Sequence, residues 1–219
     1  MSKKKDKENN YTYKLTSKCK KYYGIKLYQI KALRDFAEIK KGELGGWIES
    51  TNNLSQEEDC WVGGNAYVMN NAFVCGKARV YDNALVVDSS WVDDNARVYG
   101  FAQISGSVGI RGNVEVSEYT QVQGEVELGG RVKVAGNAII TGCAEINEDV
   151  TITHSHQYLN IPNLKHNLTI TANSVRGGCR LFTHEEFRKL TLKQCEDETW
   201  SKKELDGYKL ALRIWESMQ

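Results

Sequence analysis

The chain has 219 residues, with 29 lysines and arginines against 28 aspartates and glutamates and a single proline. A net charge of +1 attracts no class of partner in bulk, and the length suits one elongated domain with small caps. No apolar run approaches the roughly 18 residues that span a membrane, and no hydrophobic stretch follows the N-terminal lysines, so a membrane helix and a secretory leader are not expected.

Residues 1–10 (MSKKKDKENN) are polar and read as a disordered basic tail. Residues 11–59 read as an N-terminal β cap. Tyr11 to Thr16 and Tyr22 to Ile30 are strand-like, with a turn at Gly24. Lys41-Gly42-Glu43-Leu44-Gly45-Gly46-Trp47-Ile48 then leads toward a long repeat.

The repeat occupies residues 60–152. Steps of six from Val62 land on Val68, Val74, Val80, Val86, Val92, Val98, Ile104, Ile110, Val116, Val122, Leu128, Val134, Ile140, Ile146 and Ile152, all aliphatic. Four residues after each comes a small or modest side chain, such as Ala66, Ser90, Val114, Thr120 and Ala138. Two residues after each comes Gly, Asn, Asp or Glu, as at Gly64, Asn70, Asp82, Gly100, Gly112 and Gly136, types that suit a tight corner. A period of six with two inward positions fits neither a helix nor a flat strand. It fits a coil of three short strands and three corners. The expected fold is mainly β: a left-handed parallel β-helix of about five coils, capped by the N-terminal strands and by two C-terminal helices. Residues 18 apart should stack, which puts Val62, Val80, Val98, Val116, Val134 and Ile152 in one ladder of a prism about 24 Å long.

Residues 153–219 break the hexad and read as a C-terminal strand and helical cap. His154 to His166 is irregular, and Asn167 to Asn173 is strand-like. Thr183 with Glu186 forms a capping box for a helix to about Leu192, and Ser201 with Glu204 opens a second. In the latter, Leu205, Tyr208, Leu212 and Trp215 share a face that needs burial.

The outward positions of the first coils are apolar: Tyr67 over Leu85, Met69 over Val87, Phe73 over Trp91, and Tyr81 over Tyr99. Either the terminal segments pack there, or a partner or a second copy does. On the second reading Tyr67, Phe73, Tyr81, Leu85, Val87, Trp91 and Tyr99 are the partner-binding candidates, with Trp91 and Tyr99 foremost. Charge is uneven as well. Residues 60–152 carry 6 basic and 11 acidic groups, which suits a solvated prism surface.

Residues with chemistry are sparse. The cysteines Cys19, Cys60, Cys75, Cys143, Cys179 and Cys195 lack a Cys-x-x-Cys and read as separate thiols. All four histidines (His154, His156, His166, His184) follow the repeat. His154 and His156 could share a zinc only with a third ligand, and none stands at good spacing, so no metal is expected. Gly177-Gly178 reads as a turn, and Glu57-Glu58-Asp59, Asp93-Asp94 and Glu196-Asp197-Glu198 read as solvated turn residues. Lys3-Lys4-Lys5 is too short a run to imply direct nucleic-acid binding.

A resemblance extends over nearly the whole chain. Tyr13-Lys14-Leu15-Thr16, the run from Leu27 to Phe36, Lys41 to Ser50, Asp59-Cys60-Trp61-Val62 and Tyr81-Asp82-Asn83-Ala84 resemble hexapeptide-repeat proteins common in tailed-phage and prophage genomes. So do Gly177-Gly178-Cys179 and Phe182-Thr183-His184-Glu185-Glu186-Phe187. Such proteins are often labelled transferase by repeat similarity, and no catalytic residues come with the resemblance. Repeat solenoids of this kind also scaffold acyltransferases, whose histidine and pocket depend on loops that interrupt the coils. No loop interrupts Val62 to Ile152. The expectation is therefore a non-catalytic phage or prophage accessory protein without a cofactor. It would act in the host cytoplasm on a protein partner, such as a host-defence protein or nucleoprotein of the CRISPR type. An acyltransferase-like enzyme and a self-assembling structural protein are the alternatives.

Overall fold

The computed structural model describes residues 11–161, 167–178, 180–198 and 200–219. The tail expected over residues 1–10, and with it His166 and Cys179, lies outside those residues.

Every aliphatic position of the hexad is buried, and so is every small position four residues on. Val62, Val80, Val98, Val116, Val134 and Ile152 run in register through a six-stranded parallel sheet. Val74, Val92, Ile110, Leu128 and Ile146 do the same through a five-stranded one. Val68, Val86, Ile104, Val122 and Ile140 make the third face. The chain is thus a β-solenoid whose interior is filled by two side chains per side.

The solenoid has about six coils, one more than the repeat suggested. Ile48 pairs with Val68, and Leu54 bridges to Val74, so residues assigned by pattern to the cap already stack as a coil. Between Leu54 and Val62 lie eight steps instead of six, and this local excess hid the first coil from a strict period.

The corners combine left-handed backbone with a carboxylate relay. Gly64, Asn70, Asp82, Gly100, Gly112 and Gly136 all have positive φ, which Gly, Asn and Asp tolerate best. Asp82, Asp88, Asp94 and Glu118 each accept a hydrogen bond from the glycine N–H one coil later, at Gly100, Gly106, Gly112 and Gly136 (3.2, 2.9, 2.9 and 2.9 Å). Each bond contributes about 1 kcal/mol at most in so exposed a place. Asp94 of the Asp93-Asp94 pair is therefore a corner fastener.

Both open ends are covered, which removes exposed strand edges. At the N-terminal end a hairpin of Tyr13–Tyr22 and Ile25–Ala32 joins Leu44–Ile48 and extends the third face. Its turn falls at Tyr23 and Gly24, so Tyr22 closes the first strand, where the pattern had put it in the second. Gly45 crosses the prism end so closely that a Cβ would lie 2.5 Å from the Val62 carbonyl oxygen. Ile30, Ala32, Phe36 and Ile39 complete the lid.

At the far end Tyr158 seals the core and its hydroxyl donates to the Thr141 carbonyl at 2.6 Å. The single strand expected there is a four-stranded antiparallel sheet (Leu159–Ile161, Leu168–Ile170, Val175–Gly177, Arg180–Phe182). Helices α1 (His184–Lys189) and α2 (Lys202–Ser217) follow, each opened by the expected capping box. Leu205, Tyr208, Leu212 and Trp215 of α2 pack with Leu168, Ile170, Val175 and Phe187 of this small domain. The helix face thus finds its partner there and not on the apolar stacks of the prism.

Candidate functional site

The hairpin decides which outward stacks stay open. Tyr67, Leu85 and Val87 pack with Leu27, Trp47, Met69, Tyr22 and Ile25. Lys20 lies over both the Trp47 and Tyr67 rings (3.9 and 4.2 Å to the centroids) and donates to the Tyr67 hydroxyl at 2.7 Å. These candidates belong to the joint between cap and prism. On the second face the Trp91 ring lies against Gly109 of the next coil, which has no side chain to hold it off. Phe73, above it, is 38% exposed. Tyr81 and Tyr99 stack in parallel, with centroids 4.9 Å apart and planes within 4°. Phe101 and Tyr119 repeat that geometry round the next corner at 5.1 Å.

Tyr81 also lines a groove of about 550 Å³ between the lid and the first face. The lid side supplies Glu38, Ile39 and Glu43, and the prism side supplies Trp61, Gly63, Gly64, Lys77, Arg79, Asn95 and Arg97. Trp61, Arg79 and Arg97 are stacked neighbours one coil apart. The lid is anchored there because Phe36 packs edge-on against Trp61 at 5.6 Å. Arg79 holds Glu38 with two hydrogen bonds, at 2.6 and 3.1 Å, and also donates to the Asp59 carbonyl. The Arg79 hydrogen bond holds the Glu38 carboxyl below its ordinary range, outweighing desolvation.

Among the described residues, Lys77 and Arg97 have no carboxylate within 4 Å. Glu43 is the groove's other carboxylate; one of its oxygens accepts the Lys40 N–H at 3.1 Å. Burial pushes the Tyr81 phenol upward, with Tyr99 adding to it, so Tyr81 is a neutral ring at physiological pH. Burial likewise pushes the Cys60 and Cys75 thiols up to about 12, which keeps both protonated and poor nucleophiles.

His154 and His156 sit on a single turn (Ser155–Gln157) with ring centroids 5.5 Å apart, and His154 is engaged by the Thr153 hydroxyl at 2.9 Å. Gly177 belongs to a strand, and only Gly178 is in the expected turn. No helix among the described residues is long and apolar enough to cross a membrane.

Sequence reasoning missed Glu38, Glu43, Lys77, Arg79 and Arg97. A signal was present in the 18-residue spacing of Trp61, Arg79 and Arg97, which stacks two like charges one above the other. Nothing in the pattern placed residues 36–43 against that column.

No protein-family model matches the chain. A stretch of 57 residues is 37% identical to a protein of Escherichia coli (strain K12) described as the uncharacterized acetyltransferase YdcK. The match spans 26% of this chain and 18% of that protein's length. Together with a solenoid of the type that scaffolds acyltransferases, this similarity overturns the expectation of a non-catalytic protein. That expectation rested on the missing in-repeat histidine and the missing interrupting loop. The groove shows that a concave site can instead be built between the lid and an uninterrupted prism. The phage origin and the role against host defence expected from the sequence find no observation behind them in the fold or in this match.

Proposed function

We propose that the chain is an acyl-transferring enzyme of the hexapeptide-repeat kind, and that the groove between lid and prism is its active site. The observation that carries this reading is the 37% identity over 57 residues to a protein named as an uncharacterized acetyltransferase. The groove's size falls in the range of small-molecule sites. Its cations Lys77 and Arg97, neither with a carboxylate within 4 Å among the described residues, suit the anionic body of an acyl thioester donor.

Glu43 is the group placed to take a proton, because Glu38 is tied to Arg79. In the step proposed, the acceptor's amine or hydroxyl attacks the thioester carbonyl carbon. Its proton passes to the Glu43 carboxylate, the carbon–sulfur bond breaks, and the thiolate leaves with the bonding pair.

The test is release of free thiol from acetyl-CoA in the presence of a panel of small amines and alcohols. Release above the buffer rate is expected, and Glu43→Gln should slow it by about 10²-fold or more. Failure of the wild-type protein to release thiol with any acceptor would overturn the reading. A Glu43→Gln rate equal to wild type would remove Glu43 from it.

A further inference from the structure

The outward column that carries Tyr81 and Tyr99 runs on to Gly63 in the preceding coil. The Gly63 N–H donates to the Val80 carbonyl at 2.8 Å, and the Tyr81 N–H to the Val98 carbonyl at 3.0 Å, so 63, 81 and 99 lie one above another. Tyr99 covers one face of the Tyr81 ring in a parallel stack. The opposite face points toward Gly63, which has no side chain of its own, with the edge of the Trp61 indole alongside. That vacancy opens into the groove, where Gly63, Gly64 and Tyr81 share the wall with Lys77, Asn95 and Arg97.

Gly63 is not held to glycine by its backbone. Its φ lies outside the left-handed region, and a Cβ there would meet Trp61 at 3.4 Å and Tyr81 at 3.6 Å, ordinary contact distances. The aromatic ladder therefore stops one rung short at the place where the groove begins.

We propose that the groove binds a nucleotide, with its base stacked on Tyr81 as the missing rung and its phosphate held by Arg97 and Lys77. A neutral tyrosine ring gains from stacking on any flat heteroaromatic base. Lys77 and Arg97 form no ion pair within 4 Å among the described residues, with Glu38 reaching Arg97 only through space, and they match a phosphate dianion. Arg97 brings a guanidinium that can bond two oxygens at once. The inference rests on the geometry of the groove and not on acyl transfer, since a nucleotide can bind whether or not chemistry follows.

The test is calorimetry on the full chain with AMP, adenosine and inorganic phosphate. AMP is expected to bind at least tenfold more tightly than either fragment. Gly63→Phe, which fills the rung with the protein's own ring, should weaken AMP at least tenfold without lowering Tm. Tyr81→Ala should weaken it similarly, while Tyr81→Phe, which keeps the ring, should not. Phosphate binding as tightly as AMP would reduce the site to a charge patch and overturn the proposal. Unchanged AMP affinity in Gly63→Phe would overturn it too. Should Gly63→Phe lower Tm, the Tyr81→Ala and Tyr81→Phe pair decides: equal AMP affinity in the two rejects the stacked base. Thiol release from acetyl-CoA is scored separately, so either reading can fail alone.

Discussion

Val116→Asp is expected to leave the protein largely unfolded at 37 °C. Val116 is fully buried in the middle of a six-stranded ladder, with Val98 and Val134 directly above and below it. The neighbours in that interior are aliphatic except Thr120, whose hydroxyl is already committed to the Ser117 carbonyl at 3.0 Å, so no free donor meets a carboxylate there. The new group must either ionise without a partner or take up a proton and stay unsatisfied. Both routes cost on the order of 5 kcal/mol, a large part of a domain's stability. The adjacent Glu115 points outward and pairs with Lys133 at 3.5 Å on the surface. Glu115→Ala should therefore change stability by about 1 kcal/mol at most. Thermal melts followed by circular dichroism separate the two. Similar melting temperatures for both variants would mean that the inward register is wrong.

Gly124→Ala is expected to be a costly methyl group to add to the solenoid surface. Gly124 has φ of 106°, and an added Cβ would stand 2.5 Å from the Gly142 carbonyl oxygen and 3.0 Å from its nitrogen. Those atoms belong to the hydrogen-bonded backbone of the next coil, so neither can swing away. Strain and overlap together should cost about 3 kcal/mol. Gly130 is a useful contrast, with φ of 65° and a nearest neighbour 3.3 Å away in the Asn147 side chain. Gly130→Asn, a residue that accepts this backbone, should cost under about 1 kcal/mol. Equal midpoints for the two variants in urea would contradict the stacked-corner geometry.

The prism was legible because its physics is periodic. One inward aliphatic, one inward small residue and one corner recur every six positions, and the wrong register would bury a corner. What escaped the period was aperiodic by construction. Ile48 and Leu54 stack correctly, but the eight-step link from Leu54 to Val62 breaks the count. The C-terminal sheet consists of three-residue strands, too short to show alternation.

The site was less legible than the fold. Tyr81 and Tyr99 stand out as aromatic neighbours at a spacing of 18, and both are part of the ladder that ends at the groove. Tyr67, Leu85 and Val87 show the same greasy pattern yet lie with the hairpin, because an intramolecular surface and a docking surface use the same residue types. Arg79 looks like any exposed cation until residues 36–43 fold over it and Glu38 takes it up. A site made by long-range contact leaves no local motif.

Calorimetric titration of the whole chain with acetyl-CoA tests the acyl-transfer reading most directly. Saturable binding in the micromolar to millimolar range is expected, weakened at least tenfold by Arg97→Ala, a loss of about 1.4 kcal/mol or more. Absence of saturable heat up to millimolar donor, or equal affinity in wild type and Arg97→Ala, would contradict the assignment of this groove to an acyl donor.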